Sequence, residues 1–339
     1  MSKKKLRQEQ EQLMLDMLEL SAKTETRINM LLEETMENIS KEITETYYRY
    51  KERFGLTDEQ MFEVMNKNLK AIDVKDFVKR GILEPWKIDA LSLQGNLNRL
   101  IVLKDYIGSQ YQNVANVSVG FVEDLCREVI DTTRAKTVWN MSKNGVGIEL
   151  TFQQMSKERM DKLLHHDWLG SNFYKRIQNN CGAFQDQVEK VLTDGVLRGK
   201  SIDYMAQKLH EVTHYGEVAS KRLVRTEVSH FCAEAEASQL EDWGEEFYEF
   251  SATLDGRTCH EAHKDGTPSC GSLDGKIFKL SERKEGVNAP PMHPFCRCVV
   301  LPYIDEETRK NLMRFARTKD GEKMRIQYTT FEEWYKQYK

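Results

Sequence analysis

Proline is scarce in this sequence, with six in 339 residues, and nineteen glycines supply the only other strong punctuation. Long uninterrupted helices are therefore allowed. There is no run of about 18 apolar residues, so no segment is expected to cross a membrane as a helix. The opening stretch, Met1 to Gln10, is charged and lacks the apolar centre of a signal peptide, which predicts cytoplasmic synthesis and first residence. A basic excess is also missing, because the formal net charge is −4. Dedicated nucleic-acid binders draw most of their affinity from phosphate contacts, so nucleic acid is not the default partner, although a local basic patch stays open. No phosphate-cradling loop, dinucleotide fingerprint or nucleophile elbow occurs, and the chain is expected not to be an enzyme.

What is present suits a folded chain of two or three domains. Hydrophobic residues make up 40% and charged residues 31%, enough apolar material for a core. Aromatics at 9% argue against wholesale disorder. Ile28, Leu32, Met36, Ile39, Ile43, Tyr47, Tyr50 and Phe54 recur at intervals of four and three, marking one stripe of a helix about seven turns long. Gly55 stops it. Thr57 and Gln60 form a capping-box pattern for a second helix through Met65, and Gly81 and Pro85 close that region.

Residues 86–135 read as mostly helical, with a polar break from Asn113 to Gly120, and Asn144-Gly145-Val146-Gly147 is a turn. Phe184, Val188, Val191 and Leu192 form a further helical face, punctuated by Gly195 and Gly199. Ser201 is the expected N-cap of a helix from Ile202 to Leu209. Another helix is predicted from about Glu217 to Asp242, with Leu223, Glu227, His230, Phe231 and Glu234 on neighbouring turns.

After Gly244 the pattern changes. Phe247 to Leu254, Lys276 to Leu280 and Cys298 to Tyr303 are short β-prone runs, the first ending and the second opening at Asp-Gly pairs. The expectation is a mainly α protein, with long N-terminal helices and a helical middle region followed by a small α+β C-terminal module. Its divisions are an N-terminal helical region (1–140), a helical middle region (141–220), the α+β module (221–305) and a charged helical tail (306–339). Phe331, Trp334 and Tyr335 are positioned to dock the tail.

Four of the seven cysteines lie between Cys259 and Cys298. In a reducing compartment such cysteines are free thiols or metal ligands rather than disulfides. Cys259, Cys270, His293, Cys296 and Cys298 are the candidate ligands, and thiolate with imidazole is the donor set that zinc prefers. Pro290, Pro291 and Pro294 stiffen the approach to His293, and Cys296 and Cys298 would share a face of a strand. A structural metal, ordinary buried thiols and a catalytic metal with an open position are all compatible with this spacing. His260 and His263 lie in the polar loop between the first two cysteines and are expected to be solvated rather than ligating.

The order and intervals of Arg225-Thr226-Glu227, Asp255-Gly256-Arg257-Thr258-Cys259, Leu273-Asp274-Gly275-Lys276 and His293-Pro294-Phe295-Cys296-Arg297-Cys298 resemble the Mu F-like head-morphogenesis family of phage minor head proteins. The likeness is strong over roughly 221–303 and weaker over about 165–215, where Asp167-Trp168 to Arg176 and Gly199-Lys200-Ser201 take part. Residues 1–140 carry no matching motif. Family members often place the second cysteine three residues after the first. Here that position holds Ala262 and the cysteine stands at 270, so the intervening loop must fold out and return it.

The resemblance implies a virion or prohead component, present in few copies inside the head near the portal. It would act in capsid assembly or in DNA packaging or ejection, with the portal, other capsid or scaffold proteins and packaged double-stranded DNA as partners. The rival reading is a metal-dependent enzyme or toxin-associated effector carried by the head, since such modules can be joined to toxin or transferase domains. Arg225, Glu227, Asp255 and Arg257 are read as family-motif structural residues, an ion network orienting helix on sheet. Arg225 and Glu227 diverge by about 200° on a helix, which leaves Arg257 or Arg297 as the expected partner of Glu227.

Overall fold

The computed structural model describes residues 3–55, 57, 93–143, 154–197, 202–256, 258–262, 266–303, 313–317, 323–327, 329 and 331–338. The expected second helix after Thr57, its end at Gly81 and Pro85, and the Asn144–Gly147 turn lie outside them. Among the described residues, five helices come first: α1 (Lys3–Phe54), α2 (Leu93–Lys143), α3 (Lys157–Leu164), α4 (Phe173–Leu197) and α5 (Ile202–Asp242). The remainder holds β1 (Phe247–Ser251), α6 (Cys270–Leu273), β2 (Ile277–Lys279), β3 (Val299–Pro302), β4 (Met313–Arg317), β5 (Lys323–Gln327) and α7 (Phe331–Tyr338). The protein is mainly α with a small antiparallel sheet near its C-terminus, as the sequence predicts. Among the described residues, no helix is long and apolar enough to cross a membrane.

The chain forms two compact units, neither of them one continuous segment. One comprises Met1–Glu25, Gly120–Tyr174 and Lys221–Lys339, and the other Thr26–Val119 and Lys175–Ser220. Among the described residues, the second unit has only helices as its regular elements. It buries the predicted stripe of α1 (Ile28, Leu32, Met36, Ile39 and Ile43) together with Ile107, Tyr111 and Val114 of α2 and Phe184, Val188 and Leu192 of α4.

The helix ending at Phe54 starts at Lys3, in line with a helical reading of the N-terminal region. Two helix expectations need correction. The polar stretch Asn113–Gly120 does not break α2. Val114, Ala115 and Ser118 face inward, Asn113 and Asn116 face water, and a Cβ on Gly120 would meet open space. Burial of that face outweighs the cost of about 1 kcal/mol for a mid-helix glycine. The expected gap between Leu209 and Glu217 is likewise helical, because Val212 and Thr213 are buried. Gly216 has no side chain, and a Cβ there would stand 3.6 Å from both Leu32 and Phe184.

In the first unit the sheet order is β2-β1-β3, all antiparallel. Tyr248 pairs with Phe278 and Pro302, and Phe250 with Val300. Alternation puts Tyr248 and Phe250 on one face of β1 and Glu249 and Ser251 on the other. Tyr248 packs with Ala233, Ala237, Leu240 and Val300, and Phe250 with Leu273, Met292, Cys270, Cys296 and Cys298. From Glu227 to Leu240, helix α5 is buried on nearly every side. Its alanines allow neighbours to approach closely.

Glu249 and Ser251 are buried as well, and α1 supplies their partner. Arg7, 1% exposed, donates to Glu249 Oε1 at 2.8 Å and to Ser251 Oγ at 2.7 Å.

The tail departs from expectation. Among its described residues it is helical in α7 alone, and β4 and β5 precede that helix as an antiparallel pair, Phe315 opposite Arg325. The period-2 pattern of Met-Arg-Phe-Ala-Arg and Lys-Met-Arg-Ile-Gln around an Asp-Gly pair carries that hairpin, and the high charge of the segment masks it. Trp334 is buried, and Tyr335 stacks on His260 with ring centres 4.6 Å apart.

Candidate metal centre

All five predicted ligands converge. Cys259 follows the turn at Asp255-Gly256. Cys270 opens α6, where Ser269 caps the helix by accepting from the Ser272 N–H at 3.2 Å. His293 and Cys296 share a tight turn, with the Cys296 N–H on the His293 carbonyl at 3.1 Å. Cys298 immediately precedes β3. The loop between Cys259 and Cys270 does return as required: the Gly271 N–H reaches the Cys259 carbonyl at 3.0 Å, and the Cys270 N–H reaches Cys259 Sγ at 3.0 Å.

Two overlapping triads result, Cys259–Cys270–His293 and Cys270–Cys296–Cys298, and within each the ligand atoms lie within 4.8 Å of one another. Cys270, Cys296 and Cys298 are buried, while Cys259 and His293 are half-buried at the rim. A zinc–sulfur bond of about 2.3 Å implies sulfur–sulfur separations of about 3.8 Å across a tetrahedron. Cys270 Sγ and Cys296 Sγ stand 3.9 Å apart. The donor set therefore fits a metal ion of the zinc class.

The electrostatics favour deprotonated sulfur at Cys259 and Cys296, whereas the thiols of Cys270 and Cys298 are pushed up. Hydrogen bonding from Cys270, joined by His293, holds the Cys259 thiol down to about 4. The same Cys259 hydrogen bond raises His293 to about 9. Hydrogen bonds from Cys270 and Cys298 hold Cys296 well below its ordinary value. Cys270, donor to these sulfurs, is pushed up.

His260 is outside both triads and is 43% exposed, stacked on Tyr335. His263 lies outside the described residues, as does Arg257.

The charged motif residues tie these loops to the helices. Asp255 pairs with Arg297 at 2.6 Å, joining the segment before Cys259 to the segment between Cys296 and Cys298. Asp274 Oδ1 accepts the Ala252 N–H at 2.8 Å. Gly275, at φ +75°, turns the chain so that its N–H meets the Phe250 carbonyl at 2.8 Å. On α5, Thr226 Oγ1 accepts from the Phe295 N–H at 3.2 Å, which holds the His293–Cys296 turn, and Arg225 pairs with Glu25 at 2.8 Å. Phe295 itself sits at φ +61°, a strained position for an aromatic residue.

Of the two arginines expected beside Glu227, Arg297 closes on Asp255 instead, and Arg257 lies outside the described residues. Glu227, 1% exposed, accepts from the Trp168 indole N–H at 3.1 Å. The sequence reading passed over Trp168 as a partner and Arg7 altogether. Trp168 did stand in the weaker stretch of family likeness, and Arg7 gave no local signal.

Residues 186–301 match the family model described as Phage Mu protein F like protein. The chain is 24% identical to Minor head protein GP7 of Bacillus phage SPP1 over 254 residues, which is 70% of this chain and 77% of that protein. No solved structure matches.

Proposed function

We propose that this chain, a member of the Mu F-like phage head family through residues 186–301, is a minor head protein of a tailed bacteriophage. The observation that carries the reading is the extent of the likeness to the SPP1 minor head protein. It covers 70% of this chain and 77% of that one, so it reaches well beyond the cysteine-bearing module. Its role on this reading is in capsid assembly and in DNA packaging or ejection, through contacts with the portal and other capsid or scaffold proteins. Its place is the virion, inside the head, after assembly in the host cytoplasm.

The chemistry of the candidate centre supports a structural rather than a catalytic part. Most of the donor atoms are buried, and every motif residue described above joins one loop or helix to another. A zinc ion held by Cys270 with Cys259, His293, Cys296 and Cys298 as the surrounding donors would add metal-binding free energy to the loops that flank a small three-stranded sheet. Beside it runs a cleft of about 520 Å³ whose lining includes Lys221, Arg225, Arg297 and Phe295. Cations with an exposed aromatic suit the phosphates of packaged DNA.

The test is co-expression with the portal and major capsid proteins encoded beside its gene, followed by mass spectrometry of purified proheads. Retention at low stoichiometry is expected. Its absence from particles that still form and infect would overturn the assignment.

A further inference from the structure

Helix α5 carries a second cluster of ligating side chains, apart from the cysteines. Glu227, His230 and Glu234 follow one another at intervals of three and four residues, which places them along one face. Glu227 is held by Trp168. His230 is 1% exposed and stacks flat against the same indole, ring centres 4.3 Å apart. Glu285 arrives from the loop beyond β2. A ring nitrogen of His230 and one carboxylate oxygen each of Glu234 and Glu285 lie within 4.8 Å of one another. Arg283 pairs with Oε1 of Glu234 and, at 3.0 Å, with Oε1 of Glu285.

The charge count decides what the cluster lacks. Two carboxylates against one guanidinium leave a single negative charge, and an uncompensated charge in so enclosed a place is costly. A shared proton, a proton on His230 or a cation can balance it. A shared proton needs only the two carboxylates, whereas a cation also uses the imidazole that α5 turns toward them. Glu234 and Glu285 are 14% and 15% exposed, so an ion has a route from solvent.

We propose that His230, Glu234 and Glu285 form a second metal site for a divalent cation that prefers nitrogen and oxygen ligands, with Arg283 as its charge-balancing neighbour. The absence of sulfur from the triad separates it chemically from the cysteine centre. Manganese is the appropriate probe, because carboxylate donors suit it and thiolates do not.

The full-length protein, stripped with chelator and dialysed, is titrated with Mn²⁺ while free Mn²⁺ is followed by electron paramagnetic resonance. One site per chain is expected, unaffected by Cys259→Ser. Glu285→Gln and Glu234→Gln should each weaken it at least about tenfold, since even outer-sphere partners of metal sites change affinity by roughly 10- to 100-fold. Wild-type protein that takes up no stoichiometric Mn²⁺, or variants that bind as tightly as wild type, would overturn the proposal. A readout that needs no carboxylate variant is the imidazole spectrum of histidine-labelled wild-type protein. Stoichiometric Mn²⁺ must broaden the His230 resonances, assigned through His230→Gln. Unchanged resonances would mean that a proton rather than an ion balances the charge.

Discussion

Cys270 donates its backbone N–H to Cys259 Sγ at 3.0 Å although the two residues are eleven positions apart. This contact brings the displaced cysteine back to the cluster, and it supports a thiolate at Cys259. If zinc occupies the centre, purified protein carries about one equivalent, and Cys259→Ser costs on the order of 4 kcal/mol, as loss of a metal does. Calorimetry with and without chelator, together with hydrogen exchange, checks this. Protection should fall first in β1–β3 and α6. Zinc-free protein whose melting ignores chelator would end the metal reading.

Arg7 yields a second prediction. Its guanidinium is buried against Glu249 and Ser251 and lies 3.7 Å from Asp274. Arg7→Leu leaves those carboxylates buried without it and should cost about 3–5 kcal/mol. Adding Glu249→Leu should recover part of the loss, because the penalty comes from the stranded charge rather than from the missing pair. Urea denaturation of both variants measures the difference. An Arg7→Leu protein as stable as wild type would show that the buried ion pair contributes nothing net.

Arg7 and Glu249 also mark where the sequence stops being legible. The strands around Tyr248, Phe278 and Val300 announce themselves through β-prone residues and Asp-Gly turns, and the five metal-ligand candidates through residue type and motif order. A partner 242 positions away leaves no local trace. The same holds for the Trp168–Glu227 contact, since a motif carboxylate turned away from Arg225 points by residue type to another arginine. Helix continuity was underestimated at Asn113–Gly120 and before Glu217 for a different reason. Local propensity reads polar and glycine residues as breaks, while the buried faces around Val114 and Val212 set the outcome. In the tail, charge concealed an alternation that β4 and β5 use.

Glu236 is buried in the first unit, where it accepts from the Val300 N–H at 3.1 Å. Burial pushes its carboxyl well above the ordinary range. The folded state thus holds a proton that the unfolded chain releases near its ordinary value of 4.5. The stabilising contribution is complete below that pH and declines as pH rises toward the folded value. Glu236→Gln mimics the protonated acid, so its stability should match or exceed that of wild type at neutral pH and lose this part of the decline. Thermal melts of both proteins from pH 5 to pH 8 decide the matter. Parallel curves would mean that Glu236 is ionised in the fold.

Gly195 and Met205 test the packing of the second unit. A Cβ added to Gly195 would overlap Met205 Sδ and come within 2.6 Å of its Cγ, and Met205 is only 2% exposed. Gly195→Ala should therefore destabilise by roughly 1–3 kcal/mol through overpacking, even though alanine is the better helix former. Met205→Ala alone opens a cavity and costs about 2–5 kcal/mol. Combined, the two should cost less than their sum, since the new methyl group enters the space that the methionine vacates. A double-mutant cycle from chemical denaturation gives the coupling, and an additive result would mean that α4 and α5 do not meet at this pair.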